Sequence, residues 1–480
     1  MLSQADRCQQ SISLAQNSTE AGCIRCVFKR IMPTDRRSFL KSASLAASSA
    51  AFPAVVKSAS PNSKLQVVSV GANGMAFSDI KNISGHPQVQ YVGFCDIDST
   101  RFDKVDADHP GVPHFADFRE MFAQLGDKFD AVNVGTPDHM HAKAAIDAMR
   151  LGKHVYCQKP LAHTVWEARQ MRVEAAKAKV VTQMGNQIHS NLEYRLGTRL
   201  IKEGAIGKIK EVYSWVAVTG NERNKRLAPA PGAKVPAHVN WDLWIGCAPM
   251  REYAPCYHPF VWRDWQDFGG GALGDFGCHI LDPVFTALGI KAPTHITATN
   301  SGVNEHIWPT HETIEYLFPG NELTAGKTLK VTWMDGGLRP DRKLAQMPDH
   351  LDLPKSGSLF IGEEGNLVLA HVAGPRLYPL EKFTSFKYPK EQGLSHWHRW
   401  VDACLGGEKT SDGFDYAGPL SETVQLGNVA TRLAMGEIDQ RTGRPLELKT
   451  LEWDTEAFAF KNNPAADKLL TKTYREGWSI

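Results

Sequence analysis

At roughly 150 residues per domain, 480 residues make about three domains at most, and 42% hydrophobic with 22% charged residues is ordinary globular composition, which excludes a disordered or collagen-like chain. Lys+Arg 54 against Asp+Glu 52 leaves +2; residues 1–60 hold eight basic and three acidic side chains, so the remainder is close to −3, with no footprint for a nucleic-acid backbone. No apolar run reaches the about 18 residues of a membrane-spanning helix, and nine cysteines are too few and too scattered for a disulfide framework in a chain of this length.

Residues 1–60 read as a leader. Arg36-Arg37 is followed by Phe39-Leu40-Lys41, an Ala/Ser-rich stretch from Ser42 to Val56 and a polar segment with Pro61. That order resembles a twin-arginine export signal, so the twin-arginine machinery is an expected partner and a periplasmic or otherwise exported location is expected. Residues 1–31 are long for such a leader, and Met32 is the expected start. Cys23 and Cys26 form a CxxC without a second pair, so no metal site is expected from them.

The next 120 residues alternate strand and helix. Leu65–Val70 predicts a buried strand running into Gly71-Ala72-Asn73-Gly74-Met75-Ala76, a helix to about Ser84, and a second strand from Val89 to Cys95 that ends at Asp96. A glycine turn lets the backbone approach a pyrophosphate, and the helix N-terminus behind it supplies donors. Asp96, 20 residues beyond Ala76, has the spacing of a carboxylate that binds a ribose diol and disfavours the 2′-phosphate of NADP, so NAD is the expected cofactor. Asn73 stands where a second glycine is usual and Ala76 where a third is; Gly74 can supply the missing freedom.

A third strand, Asp130 to Gly135, ends in Thr136-Pro137-Asp138-His139-Met140-His141, with a helix from about Ala142 to Leu151. A fourth, His154 to Cys157, ends in Gln158-Lys159-Pro160, followed by a helix from Thr164 to Lys179 and a fifth strand at 180–184. Both motifs sit where doubly wound sheets bind ligands. The stretch from Val134 to His141, with Gly152-Lys153-His154-Val155-Tyr156-Cys157-Gln158-Lys159-Pro160-Leu161, resembles the Gfo/Idh/MocA oxidoreductases, the family of glucose–fructose oxidoreductase and inositol dehydrogenase. The resemblance covers about residues 64–480. It implies that Lys159 reaches the nicotinamide and substrate, and that Gly71, Asn73, Gly74, Met75, Ala76, Asp96, Thr136, Pro137, His141, Gln158 and Lys159 meet the cofactor. Gln158 replaces the family's glutamate and removes a carboxylate beside the lysine.

From about Gln187 the alternation stops. Strands are expected at Glu211–Thr219, His295–Thr299, Glu312–Phe318, Leu329–Trp333 and Ser358–Ile361. The fold class is therefore an N-terminal Rossmann doubly wound parallel sheet (64–186) followed by a C-terminal domain (187–480) with an open, mostly antiparallel sheet. In Phe268-Gly269-Gly270-Gly271-Ala272-Leu273-Gly274-Asp275-Phe276-Gly277-Cys278-His279, glycines lead into a helix on which Asp275 and His279 share a face. The carboxylate can orient the imidazole, whose ordinary pKa suits proton transfer. The resemblance adds both to Lys159 as the catalytic group. Trp262-Arg263-Asp264-Trp265 offers indole faces and a guanidinium to a carbohydrate. Trp262, Arg263, Trp265 and His139 are the candidate substrate contacts, and Trp241 and Trp244 read as structural. Phe414–Leu420 precedes a helix at about Ser421–Met435. The tail from Asn462 to Trp478 resembles that of exported members and suggests packing or contacts of a homo-oligomer.

The expected function is an NAD-dependent oxidoreductase moving a hydride between a sugar, glycoside or polyol carbon and a tightly held cofactor, without metal. Two alternatives remain: redox-neutral glycoside cleavage through transient oxidation and elimination, and a non-catalytic NAD-binding protein.

Overall fold

Six parallel strands with helices on both faces form the first layer of the molecule: β1 (Leu65–Val70), β2 (Val89–Cys95), β3 (His114–Phe115), β4 (Ala131–Val134), β5 (His154–Gln158) and β6 (Thr182–Gly185), in the spatial order β3-β2-β1-β4-β5-β6. The computed structural model describes residues 64–218, 232–434 and 449–480. Arg36-Arg37, Met32 and the Cys23–Cys26 pair lie outside the described residues. The strands are short runs of β-branched and small apolar residues, and Val67, Val68, Val132, Val134 and Val155 are all buried, as a sheet covered on both faces requires. Order reverses between β1 and β4, so the carboxyl ends of β1, β2, β4 and β5 open onto one crevice.

Local chemistry sets the flanking helices. Helix Val165–Ala178 starts with a capping box in which Thr164 accepts from the Glu167 backbone and the Glu167 carboxylate accepts from the Thr164 backbone. Helix Asp138–Arg150 begins four residues earlier than its apolar spacing predicts, directly after Pro137. An acid in the first turn after a proline is a start signal, and it places Asp138, His139 and His141 on the helix rather than in a strand-end loop.

The second layer is a nine-stranded sheet: β7 (Ile209–Trp215), β8 (His295–Asn300), β9 (Glu312–Pro319), β10 (Thr328–Met334), β11 (Gly357–Gly362), β12 (Asn366–Ala370), β13 (Arg376–Tyr378), β14 (Leu451–Asp454) and β15 (Ala459–Phe460), ordered β13-β12-β11-β7-β10-β9-β8-β14-β15. Among the described strands of this second sheet only the β7–β10 pair is parallel, so the sheet is mostly antiparallel, as its sequence predicts. The described residues form one compact unit. Helices Gly271–Leu288 and Phe414–Leu433 pack together beside this sheet. The second helix begins at Phe414, not after Leu420: Ala417, Leu420 and Val424 are fully buried at helical spacing, and that burial outweighs Pro419 inside the helix.

Candidate active site and dinucleotide cleft

A cleft of about 380 Å³ lies between the crevice of the parallel sheet and the loops of the second domain. Gly71, Asn73, Gly74 and Met75 form its floor at the end of β1. Gly71 (φ 104°) and Gly74 (φ 61°) occupy backbone conformations open to glycine, and a Cβ at Gly74 would meet nothing within 4 Å. Gly74 caps helix Met75–Ser84 without a side-chain hydrogen bond, so the first-turn amides are left to a ligand. Ala76 is buried behind this turn, and the close approach that a third glycine would permit is made from the other side: a Cβ on Gly135 would fall 2.5 Å from the Ala76 Cβ.

Asp96 closes the same end. Its carboxylate accepts from the Ala72 amide (3.0 Å) and the Asp98 amide (3.1 Å), and burial pushes its pKa up to about 6. Each oxygen retains a lone pair for a ribose hydroxyl. Thr136 and Pro137 line the middle, and the Thr136 Oγ1 is a buried hydroxyl without a partner among the described residues. An open glycine turn, an uncapped helix N-terminus, a half-buried acid at ribose spacing and an orphaned hydroxyl together fit a dinucleotide. His141 also lines the cleft; its ring nitrogens face the carbonyls of Thr136 and Pro160, both at 2.8 Å, and burial lowers its pKa to about 4, so the neutral ring donates to only one of them at a time.

At the β5 end the charges converge. Lys159 Nζ donates to the Asp275 carboxylate and to the Asp275 carbonyl, each at 2.7 Å, and Arg263 Nε lies 3.6 Å from the same carboxylate. The Arg263 guanidinium rests over Trp262 (4.3 Å) and Phe260 (4.6 Å). Lys159, Asp275, Arg263 and Trp262 all line the cleft. The lysine therefore enters the site as half of an ion pair whose geometry is fixed by a second hydrogen bond to backbone.

His279 joins this group across Phe276. Lys159 Nζ lies 6.0 Å from the Phe276 ring centroid, and the Phe276 and His279 centroids are 6.1 Å apart. The expected orienting contact differs from the observed one. The Asp275 carboxylate goes to Lys159, and His279 Nδ1 pairs with the Asn186 amide oxygen at 2.6 Å. Asn186 Nδ2 donates to the Cys278 carbonyl (3.0 Å), which fixes the amide orientation: the oxygen accepts from His279 Nδ1–H, and Nε2 carries the lone pair. Burial, then Lys159 and His371, hold the imidazole well below its ordinary pKa, so it is neutral at pH 7. Sequence spacing alone pairs Asp275 with His279; a lysine arriving from a strand 116 residues away outcompetes that pair.

Two candidate substrate contacts are packed residues instead. His139 is fully buried between Trp244 and Phe268, its Nε2 faces the Trp244 carbonyl at 2.9 Å, and burial pushes its pKa to about 3. Trp265 sits in the same apolar cluster, its indole N–H donating to the Cys256 carbonyl. Both belong to the wall behind the cleft; Trp244, read as structural, reaches the cleft itself.

Asp138 is the acid that the sequence motif contains but does not single out. It is buried at the cleft, accepts from the Gly270 amide (3.3 Å), and its pKa is raised to about 7 by burial, opposed by Arg263 and assisted by Asp275. Asn186 lies just past β6, at a carboxyl strand end, where a polar residue warrants notice.

The missing family carboxylate is also accounted for. Gln158 Nε2 donates to Asp79 at 2.7 Å, and its oxygen accepts from the Lys159 amide at 3.3 Å. Asp79, from helix Met75–Ser84, is fully buried, accepts from Trp397 (2.8 Å), and burial raises its pKa to about 7. A carboxylate is thus present one residue deeper, bridged to the lysine backbone by a neutral amide. Restoring the acid with Gln158→Glu sets two buried carboxyls together. The expected result is a thermal midpoint several degrees lower, with the deficit growing from about pH 6 to about pH 8; an unchanged midpoint at both would remove Asp79 from this role.

Residues 65–186 match the family model described as "Oxidoreductase family, NAD-binding Rossmann fold", of the Gfo/Idh/MocA oxidoreductases, and residues 211–318 match its companion, "Oxidoreductase family, C-terminal alpha/beta domain". Levoglucosan dehydrogenase of Pseudarthrobacter phenanthrenivorans is 29% identical over 152 residues, covering 32% of this chain and 31% of that protein. D-glucoside 3-dehydrogenase of Escherichia coli is 26% identical over 249 residues, covering 51% of this chain and 59% of that protein. The chain thus spans less than two thirds of the length of these relatives. The WlbA dehydrogenase from Bordetella pertussis, solved with NADH and UDP-GlcNAcA, shares the fold with a TM-score of 0.53 at 18% identity, covering 80% of this chain and 100% of that one.

Proposed function

The chain belongs to the Gfo/Idh/MocA family of oxidoreductases, with that family's NAD-binding Rossmann fold, and we propose that it moves a hydride between a carbinol carbon of a sugar, glycoside or polyol and NAD held in the cleft. The observation that carries this reading is the Lys159–Asp275 pair lining the β5 end of the cleft, with the Asn186-held His279 behind it across Phe276. The two relatives above, named for levoglucosan and D-glucosides, support the substrate class.

NAD, when bound, supplies the hydride acceptor. His279 Nε2 takes the proton of the substrate hydroxyl, and the Nδ1–H bond to Asn186 keeps that lone pair aimed. Lys159 donates a hydrogen bond to the same oxygen as it becomes a carbonyl, and Asp275 holds the ammonium in place. Trp262 and Arg263 border the sugar side, the indole for C–H faces and the guanidinium for hydroxyls. Asp96 disfavours a 2′-phosphate and supports NAD over NADP.

Export through the twin-arginine route is part of the proposal and rests on Arg36-Arg37 ahead of the Ala/Ser-rich stretch. A cofactor loaded before export must be recycled in place, so tight retention suits this location. The test incubates protein recovered from the periplasmic fraction with a panel of glycosides and no added NAD. Oxidised sugar formed only with an added electron acceptor is expected. Aglycone release without net NADH would convert the reading to redox-neutral cleavage, and recovery solely from the cytosol would remove the export reading.

A further inference from the structure

The sheet order gives the cleft a direction: Lys159 stands at the β5 end, whereas Asp96 and the loop after β3 stand at the other. If Lys159 faces the nicotinamide, the β2–β3 end receives adenosine. One wall of that end comes from nowhere in the Rossmann domain. Trp478, from the last described segment, lines the cleft with Phe118, Asp117 and Arg101 and is only 4% exposed. Its ring lies 6.4 Å from that of Phe118 and carries the Arg119 guanidinium at 3.9 Å. Arg119 is itself bound to both oxygens of Asp117 and donates to the Gly477 carbonyl.

The segment is fastened back along its length. Lys472 pairs with the fully buried Glu167 at 2.8 Å, and Tyr474 donates to the same carboxylate at 2.7 Å. Arg475 donates to the Gly246 carbonyl at 3.0 Å and pairs with Asp242. The Trp478 amide donates to the Arg475 carbonyl. Buried anchors at Glu167 and a second set on the Asp242–Gly246 loop hold 472–478 against both domains, so the indole is positioned and not merely nearby.

We propose that the 472–478 segment is a strap that completes the adenosine subsite, with Trp478 as the apolar wall for the adenine ring, so that this tail governs how firmly the dinucleotide is held. The inference rests on the dinucleotide reading of the cleft. An indole against an adenine excludes water from the base; the Arg119 guanidinium over the ring is spent on Asp117 and the strap backbone, and that of Arg475, 5.7 Å from the ring centroid, on Asp242 and the Gly246 carbonyl, which leaves the indole as the surface offered to the ligand.

The test measures binding of ADP-ribose, which carries the adenine, and of nicotinamide mononucleotide, which lacks it, to the full chain and to Trp478→Ala, Trp478→Leu and Trp478→Phe. Expected is a rise in the ADP-ribose Kd of about tenfold for Trp478→Ala and Trp478→Leu and less for Trp478→Phe, with nicotinamide mononucleotide affinity unchanged. Should Trp478→Ala not fold, the Leu and Phe variants carry the same comparison. Unchanged ADP-ribose affinity in a folded variant, or equal losses for both probes, would overturn the strap. A parent protein that binds neither NAD nor ADP-ribose would overturn the dinucleotide reading itself.

Discussion

His279→Ala lowers kcat for hydride transfer by about 10²–10⁴-fold, the range lost with a positioned general base, while the NAD Kd stays within about twofold. The asymmetry follows from position: His279 lies beyond Phe276 from Lys159 and touches Asn186, whereas the cofactor cradle is built from β1, β2 and β4. The pH dependence has a definite sign. A base works only when deprotonated, and burial, Lys159 and His371 depress this imidazole while Asp275 raises it. The acid limb of kcat/KM for the parent protein therefore falls below the ordinary histidine value of about 6.5, not at it. Asn186→Asp replaces the neutral partner of Nδ1 by a carboxylate, favours the imidazolium, and moves the acid limb up. A single-turnover measurement of NADH formation across pH reads both effects. An Asn186→Asp profile that does not move, or a His279→Ala enzyme with parental kcat, would show that the proton leaves by another route. Asp138 is then the candidate to test, since it lies in the cleft with a pKa raised to about 7.

Much of this arrangement is written in short-range signals. The strand-turn-helix at Leu65–Ala76, the acid at Asp96 and the Gln158-Lys159 turn are each local patterns, and the crevice follows because a doubly wound parallel sheet puts all its carboxyl ends on one edge. The Asp275–His279 spacing on helix Gly271–Leu288 is likewise legible. What sequence does not carry is competition between partners. Asp275 can serve an imidazole four residues on or a lysine from another domain, and only the packed structure shows the lysine taking it. Gln158 looks like a lost carboxylate until Asp79 appears behind it. His139 and Trp265 resemble ligand contacts because their residue types are those of binding sites, yet both are buried against aromatic neighbours and so are core. β12 to β15 are strands of two to five residues, too short for a period-two pattern to stand out, and are stabilised by the edge of the sheet they join. The C-terminal strap is the extreme case: its anchors, Glu167 and Asp242, lie more than 200 residues away in sequence.

The largest loss of stability is expected from His189→Leu. His189 Nδ1 pairs with Asp282 at 2.8 Å with both side chains buried, and its Nε2 meets Ser411 Oγ at 3.0 Å. Tyr416 donates to the same Asp282 oxygen at 2.8 Å. Asp282 shares helix Gly271–Leu288 with Asp275 and His279, so the pair pins the helix that bears the site to the segment after β6 and to helix Phe414–Leu433. Removing the imidazole strands a buried carboxylate with one hydroxyl for support, a loss of about 3–5 kcal/mol. Burial alone would depress His189, but Asp282, aided by Asp412 and opposed by Arg399, carries its pKa up to about 9. A folded-state pKa above the unfolded value of about 6.5 means that the contribution is full below that pH and fades as pH rises through about 9. Chemical denaturation of parent and variant at about pH 6 and about pH 9.5 measures it. The gap in unfolding free energy is widest at the lower pH and narrows at the higher. A gap that stays constant would mean that His189 is neutral in the fold and acts by shape alone, and a gap that widens would place the charge elsewhere, with Asp412 the nearest candidate.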